Sequence, residues 1–245
     1  MSINYLATRA ALTNTNPYYL YARCLSDPAS STSRREKNVR RVLHPSIRSF
    51  GLCACEKVTP AMRNFLDNEA LQLLRPILQA KTGRSFCNVA SLGPGRCFQE
   101  TVIITKLARL IQNIGNRQLG IHLTLIEQDP EVPLVPLLQY CEEVLPNTTI
   151  KVSHCRSLES YIAGAKRKQE PPDLFLGIDL SDDVIEGRPL QQYALDQLRA
   201  NELIRESTVT AITEFELSAR ECIREAIVQR GNEEPIGFLE EDPSL

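Results

Sequence analysis

The sequence predicts an α/β fold: a doubly wound, mainly parallel sheet with helices on both faces, preceded by a helical N-terminal extension. Three observations carry this. Short apolar runs and amphipathic helical runs alternate five times between residues 86 and 231, a rhythm that suits a parallel sheet with crossover helices. The strand-like runs have little room for a polar face, as expected of strands covered on both sides. The first of them ends at Gly93-Pro94-Gly95 and leads straight into a helical pattern. Glycine there lets bare backbone approach a ligand, and the free N–H groups and positive helix end face the same point.

Composition bounds the rest. The chain has 245 residues, 42% of them hydrophobic, enough for a full core. Its first 50 residues hold eight basic side chains (Arg9, Arg23, Arg34, Arg35, Lys37, Arg40, Arg41 and Arg48) against Asp27 and Glu36. With a net charge of −2 overall, the remainder therefore carries −8. We divide the chain into a basic extension, residues 1–58, and a Rossmann-like body, residues 59–245. The basic stretch from Arg34 to Arg48 contacts an acidic partner or folds back on the acidic body; the plain alternative is a solvated basic face. It offers no aromatic interleaving for base stacking, so nucleic-acid binding is not established.

Eight cysteines are scattered singly apart from Cys53 and Cys55. They read as small core residues of a protein in a reducing, cytoplasmic setting. No second ligand pair follows Cys53 and Cys55 at zinc-finger spacing, and no apolar run is long enough to span a bilayer.

Taken in order, residues 26–34 form a polar linker, and the basic segment that follows stops before Pro45. Asn16-Pro17-Tyr18-Tyr19 is similar to the base-gripping loop of amino-methylating nucleic-acid enzymes. With no apolar strand ahead of it, we read the match as chance. Thr59-Pro60 opens a helix that carries Met62, Phe65, Leu66, Leu71, Leu74 and Leu78 inward and ends at Gly83. Pro76 should kink or split it. Val89, Ala90 and Leu92 make the first strand of the body. Val102, Ile103, Leu107, Leu110 and Ile111 then recur at helical offsets.

Residues 119–127 are the clearest strand and end on Glu127. In the helix after them, Pro133 and Pro136 confine the regular part to the later half. A short strand over 149–153, a helix over 157–168 and a strand over 172–179 follow. Next come a helix over 190–205, a strand over 208–213 and a last helix over 217–229 that closes at Gly231.

In an open sheet of this kind ligands bind beyond the carboxyl ends of the strands, where strand order reverses. The residues expected there are Gly93, Pro94, Gly95 and Arg96; Glu127, Gln128 and Asp129; residues 154–157; and Asp179, Ser181, Asp182 and Asp183. A dinucleotide fingerprint needs a third glycine where this chain has Phe98, so NAD and FAD are disfavoured. The lysine of an ATP-type phosphate loop is also missing.

Over roughly residues 84–215 the chain resembles the class I S-adenosylmethionine-dependent methyltransferase superfamily. The resemblance rests on Ser91-Leu92-Gly93-Pro94-Gly95, on Glu127 at the end of the second strand, and on Pro172-Asp173-Leu174. It implies S-adenosylmethionine as cofactor. The turn residues Ser91, Gly93, Pro94 and Gly95 would lie against its methionine part and Glu127 would take the ribose hydroxyls, with Gln128 and Asp129 beside it. Ser157 and Leu158 would stand at the adenine end.

The chain departs from the family at Ser91, where an acid is common, and at Cys97, where a third glycine is common. Ser157 replaces the acid that commonly holds the adenine amino group. A separation of 32 residues between Gly95 and Glu127 exceeds the ~20 usual in such folds. The last helix stands in place of the usual closing strand pair.

Methyl transfer needs alignment and water exclusion more than it needs a base. A base helps where the acceptor must lose a proton, and Asp179 is the candidate; the plain alternative is an acid cluster that caps the following helix. The expected function is transfer of a methyl group to an unidentified acceptor. The alternative is a Rossmann-like binding or regulatory module without chemistry, which the missing adenine acid and the missing closing strands favour.

Overall fold

The computed structural model describes residues 4–5, 18, 60–83, 85–116, 118–178, 184–217 and 222–242. Its framework is an eight-stranded sheet. In chain order the elements are β1 (Asn4–Tyr5), α1 (Pro60–Ala80), β2 (Phe86–Leu92), α2 (Phe98–Asn113), β3 (Gly120–Ile126), α3 (Leu134–Val144), β4 (Ile150–Cys155), α4 (Leu158–Lys168) and β5 (Leu174–Gly177). A small ribbon, β6 (Val184–Ile185) and β7 (Arg188–Pro189), precedes α5 (Leu190–Ala200), β8 (Val209–Leu217), β9 (Cys222–Arg230) and β10 (Ile236–Asp242).

The sheet order is β1-β10-β9-β8-β5-β2-β3-β4. β8, β5, β2, β3 and β4 run parallel, β9 is antiparallel to both its neighbours, and β1 lies parallel on β10. From β2 the chain winds outward through β3 to β4, then returns to the other side of β2 to lay down β5 and β8. Strand order therefore reverses between β2 and β5, as the doubly wound expectation requires.

Alternation along the strands loads both faces. Cys87, Val89, Ile121, Leu123, Leu125, Leu174 and Leu176 point to the face covered by α1, α2 and α3. Ala90, Leu92, Ile126, Phe175 and Ile212 point to the face covered by α4 and α5. Apolar burial on two sides is what holds such a sheet, at about 25 cal/mol per Å² removed from water.

The structure corrects the reading at four elements. Residues 222–230 form β9 and not the end of a helix, and with β10 they supply the closing strand pair. Ala226 and Val228 enter one core while Ile227 packs against the other. Half-buried Glu225, Ile227 and Gln229 alternate with buried Ala226 and Val228, an alternation that Ile227 blurs in the sequence, and pairing along its whole length with β8 overrides the helix preference of its Ala, Arg and Glu residues. Pro76 does not split α1, which is one helix of 21 residues. Pro76 lies on the exposed side, where water serves the carbonyl it leaves without a donor, while Leu74 and Leu78 hold the inner side. α3 begins at Leu134, earlier than expected, because Pro136 falls in its first turn, where no N–H is needed. α5 ends at Ala200, short of 205.

Two parts of the N-terminal extension are described, and both join the body: residues 4–5 as β1, and Tyr18 as a member of the first core. The helical character of the extension, its basic stretch from Arg34 to Arg48, and Thr59 lie outside the described residues. No helix among the described residues is long and apolar enough to cross a membrane.

Candidate functional site

At the carboxyl edge of the reversal point, β2 gives way to the turn at residues 93–97. Gly93 and Gly95 sit at φ +59° and +52°, a left-handed conformation that glycine adopts without strain. Cys97, the N-cap of α2, also has φ +59°. Cys97 thus keeps a glycine-like backbone with a side chain added, at a cost of about 1–2 kcal/mol. A Cβ placed on Gly95 would meet nothing within 4 Å among the described residues, so Gly95 faces open space there. Cys97 supplies no side-chain cap, and the first N–H groups of α2 have no partner within the helix.

The turn is tied into the sheet. Leu92 is in register with Ile126, the Gly93 N–H donates to the Ile126 carbonyl at 2.9 Å, and the Cys97 N–H donates to the Pro94 carbonyl at 2.9 Å. Gly93 and Glu127 therefore leave the sheet at the same level on neighbouring strands. Glu127 is half-buried, and its Oε1 accepts the Asp129 N–H at 3.1 Å. Its main chain is held twice, by its N–H to the Cys155 carbonyl at 2.9 Å and by His154 Nε2, which donates to its carbonyl at 2.8 Å. His154, within the range 154–157 expected at the strand ends, thus holds the main chain of Glu127. Gln128 and Asp129 are exposed beyond it.

Ser157 and Leu158 follow the end of β4. Ser157 is the N-cap of α4: its Oγ accepts the Ser160 N–H at 3.2 Å and donates to Ser160 Oγ at 3.2 Å. Leu158 is buried in the second core. Asp179, Ser181, Asp182 and Asp183 lie outside the described residues.

Beneath the turn the structure holds groups that sequence reasoning missed. Ser91 donates from Oγ to Glu100 Oε1 at 2.6 Å, and Glu100, in the first turn of α2, is only 2% exposed. Among the described residues its Oε2 has no hydrogen-bond partner. Burial raises this carboxyl to about 7, partly offset by the Ser91 hydrogen bond and the Arg63 charge. Glu100 and Glu127 both act on the Cys97 thiol, which burial pushes well above its ordinary range, so the two acids flank the turn.

Alongside lies a buried polar chain. Asp67 of α1 accepts from Tyr18 OH at 2.7 Å and from Gln99 Nε2 at 2.6 Å, and pairs with Lys106 Nζ at 3.0 Å; Arg63 donates to Gln99 Oε1 at 3.1 Å. Burial nevertheless raises the Asp67 carboxyl above its ordinary value, against the pull of Lys106. The Tyr18 ring meets Phe98 edge-on at 5.6 Å. With its hydroxyl on Asp67 and its ring buried, Tyr18 is a packing residue, while Asn16, Pro17 and Tyr19 lie outside the described residues.

A separate cleft opens under α4, lined by Asn88, His122, Thr124, Ser153, Tyr161 and Lys168 among others. It runs along the strands under α4, reaching the carboxyl end only at Cys155 of β4. His122 Nε2 and Ser153 Oγ satisfy each other there at 2.9 Å. The candidate site is the turn, where the glycine backbone, the start of α2 and two acids, Glu100 of α2 and Glu127 beyond β3, converge.

No family model matches the chain, and no curated protein matches it. Among solved structures, it is similar to one from Plasmodium falciparum assigned as a protein-L-isoaspartate O-methyltransferase beta-aspartate methyltransferase, in complex with S-adenosyl-L-homocysteine. The match has 11% identity and a TM-score of 0.46, covering 93% of this chain and 95% of that chain.

Proposed function

We propose that the chain binds S-adenosylmethionine at the carboxyl edge of β2 and β3 and transfers its methyl group to an acceptor still to be identified. One observation carries the reading: the left-handed turn at Gly93 and Gly95 stands level with the half-buried carboxylate of Glu127, beside the reversal of strand order. A turn without side chains suits the methionine portion of the cofactor, with Ser91 and Pro94 as its walls. Glu127 Oε2, together with the second lone pair of Oε1, suits two vicinal hydroxyls, which can both donate to one carboxylate. Gln128 and Asp129 border that carboxylate on the solvent side.

At the adenine end, Ser157 has its hydroxyl committed to capping α4, so Leu158 and the main chain around it would give shape more than hydrogen bonds. The cofactor, when bound, supplies a methyl carbon already activated on sulfur. The work left to the chain is to hold that carbon in line with the acceptor and keep water away. Where the acceptor must lose a proton, Asp179 is proposed as the base that takes it. The acids around the turn argue against a nucleoside phosphate, whose charge Glu100 and Glu127 would repel. Because β9 and β10 are present, the binding-module alternative keeps only the missing adenine acid in its favour.

The test is calorimetric titration with S-adenosylmethionine and S-adenosylhomocysteine. Wild type should bind both, and Glu127→Ala should weaken both by about ten- to a hundredfold, the loss of hydrogen bonds to a charged group. No heat and no thermal shift at millimolar ligand would overturn the reading.

A further inference from the structure

We propose that Glu100, acting through Ser91, makes this site select a positively charged ligand over a neutral one of the same shape: the sulfonium S-adenosylmethionine over the thioether S-adenosylhomocysteine. The inference rests on the cofactor reading above.

Its ground is a carboxyl group that the fold leaves incomplete. Glu100 is inserted under the turn, bonded through Oε1 to Ser91 at the end of β2, with Oε2 buried and unpartnered among the described residues. Natural structures rarely leave a buried carboxylate oxygen without a donor, and such an exception calls for a ligand or a function. The charged and titratable groups that face it come from every neighbouring element. Arg63 and Asp67 of α1 act on it in opposite directions, Asp67 being itself held by Lys106; Tyr18 and the Cys97 thiol complete the surroundings. No ion-pair partner of Glu100 is found among the described residues.

A positive ligand charge above the turn would supply the missing compensation, through a few ångströms of poorly polarisable protein. Ser91 transmits the effect. Its hydroxyl hydrogen is committed to Glu100, which couples the carboxyl to the end of β2 and leaves the Oγ to act only as an acceptor. Glu100 is thus a positioning residue, and the charge it holds does the discriminating.

The mechanism has a proton signature. At neutral pH this carboxyl is part protonated, and a cation that favours its ionised form expels the proton to solvent. A neutral ligand does not.

The experiment is titration calorimetry at pH 7 in two buffers of different ionisation enthalpy. The ligands are S-adenosylmethionine and S-adenosylhomocysteine, added to wild type, Glu100→Gln and Ser91→Ala. Wild type should release up to about half a proton with the sulfonium and none with the thioether. Glu100→Gln should abolish the release and lower the affinity for the sulfonium about tenfold relative to the thioether. Ser91→Ala should shrink the discrimination while leaving the fold intact.

Equal proton release with both ligands, or release that persists in Glu100→Gln, would overturn the inference and leave the cofactor reading standing. If Glu100→Gln fails to fold, unchanged discrimination in Ser91→Ala would overturn it. Failure of wild type to bind either ligand would overturn both.

Discussion

Glu100 is a carboxyl held where its charge is unwelcome, and that makes it a stability element as well as a site element. Its value in the fold, about 7, lies above the ordinary 4.5. Folding therefore favours its protonated form. The stabilisation it contributes is complete below about pH 4.5 and is lost as pH rises to about 7, a change of about 3 kcal/mol. Denaturant titrations across that window should show wild type losing this much relative to Glu100→Gln; parallel pH profiles would contradict the burial.

Asp67 is a second test at this scale. Asp67→Asn should cost about 1–3 kcal/mol by weakening the buried acceptor of Tyr18 and Gln99, since Lys106 is partly exposed and keeps Asn64 and Asn68, and Tyr18→Phe about 1–2 kcal/mol. The double variant should lose less than the sum, because both changes remove one hydrogen bond. Additive losses in chemical denaturation would show that Tyr18 does not reach Asp67. Gly93, Gly95 and Glu127 were legible in the sequence because backbone conformation demands glycine and an acid closed the clearest strand. Glu100 and Asp67 were not, since a carboxyl is buried only once α1 has been laid over α2, and no local pattern records that contact.

Elements separate in the same way. β2, β3, β4 and β5 and the helices that follow them were visible as apolar runs and helical spacing, whereas β9 was concealed by its helix-favouring residues. Gly231 was placed at an element end for the wrong reason. It ends no helix; it turns the chain from β9 toward β10, with φ +52° and its N–H on the Thr208 carbonyl at 2.8 Å. A Cβ there would come within 2.5 Å of the Glu206 carbonyl oxygen. Gly231→Ala should therefore cost more than the ~1 kcal/mol of a helix-ending glycine, about 2–4 kcal/mol by thermal denaturation. A loss under 1 kcal/mol would favour the helical reading of residues 217–229. Departures at Pro76 and Pro136 share one cause: proline is excluded only where an N–H is required and no water can take its place.

At the scale of the molecule, the position of the site follows from the order in which strands are laid down, and that order follows from which strands can be covered on both sides. The fold class was legible because burial on two faces leaves a compositional trace. The role of the first 58 residues was not, because a surplus of positive charge names no surface.

The turn of the proposed site hangs from β3 by the bond between Gly93 and Ile126. Its shape is fixed when the sheet forms, before any ligand arrives, so little ordering remains for binding to accomplish. Affinity at the turn is then a gauge of the sheet: a change anywhere along β3 that loosens its register should surface as faster ligand dissociation before it surfaces as unfolding.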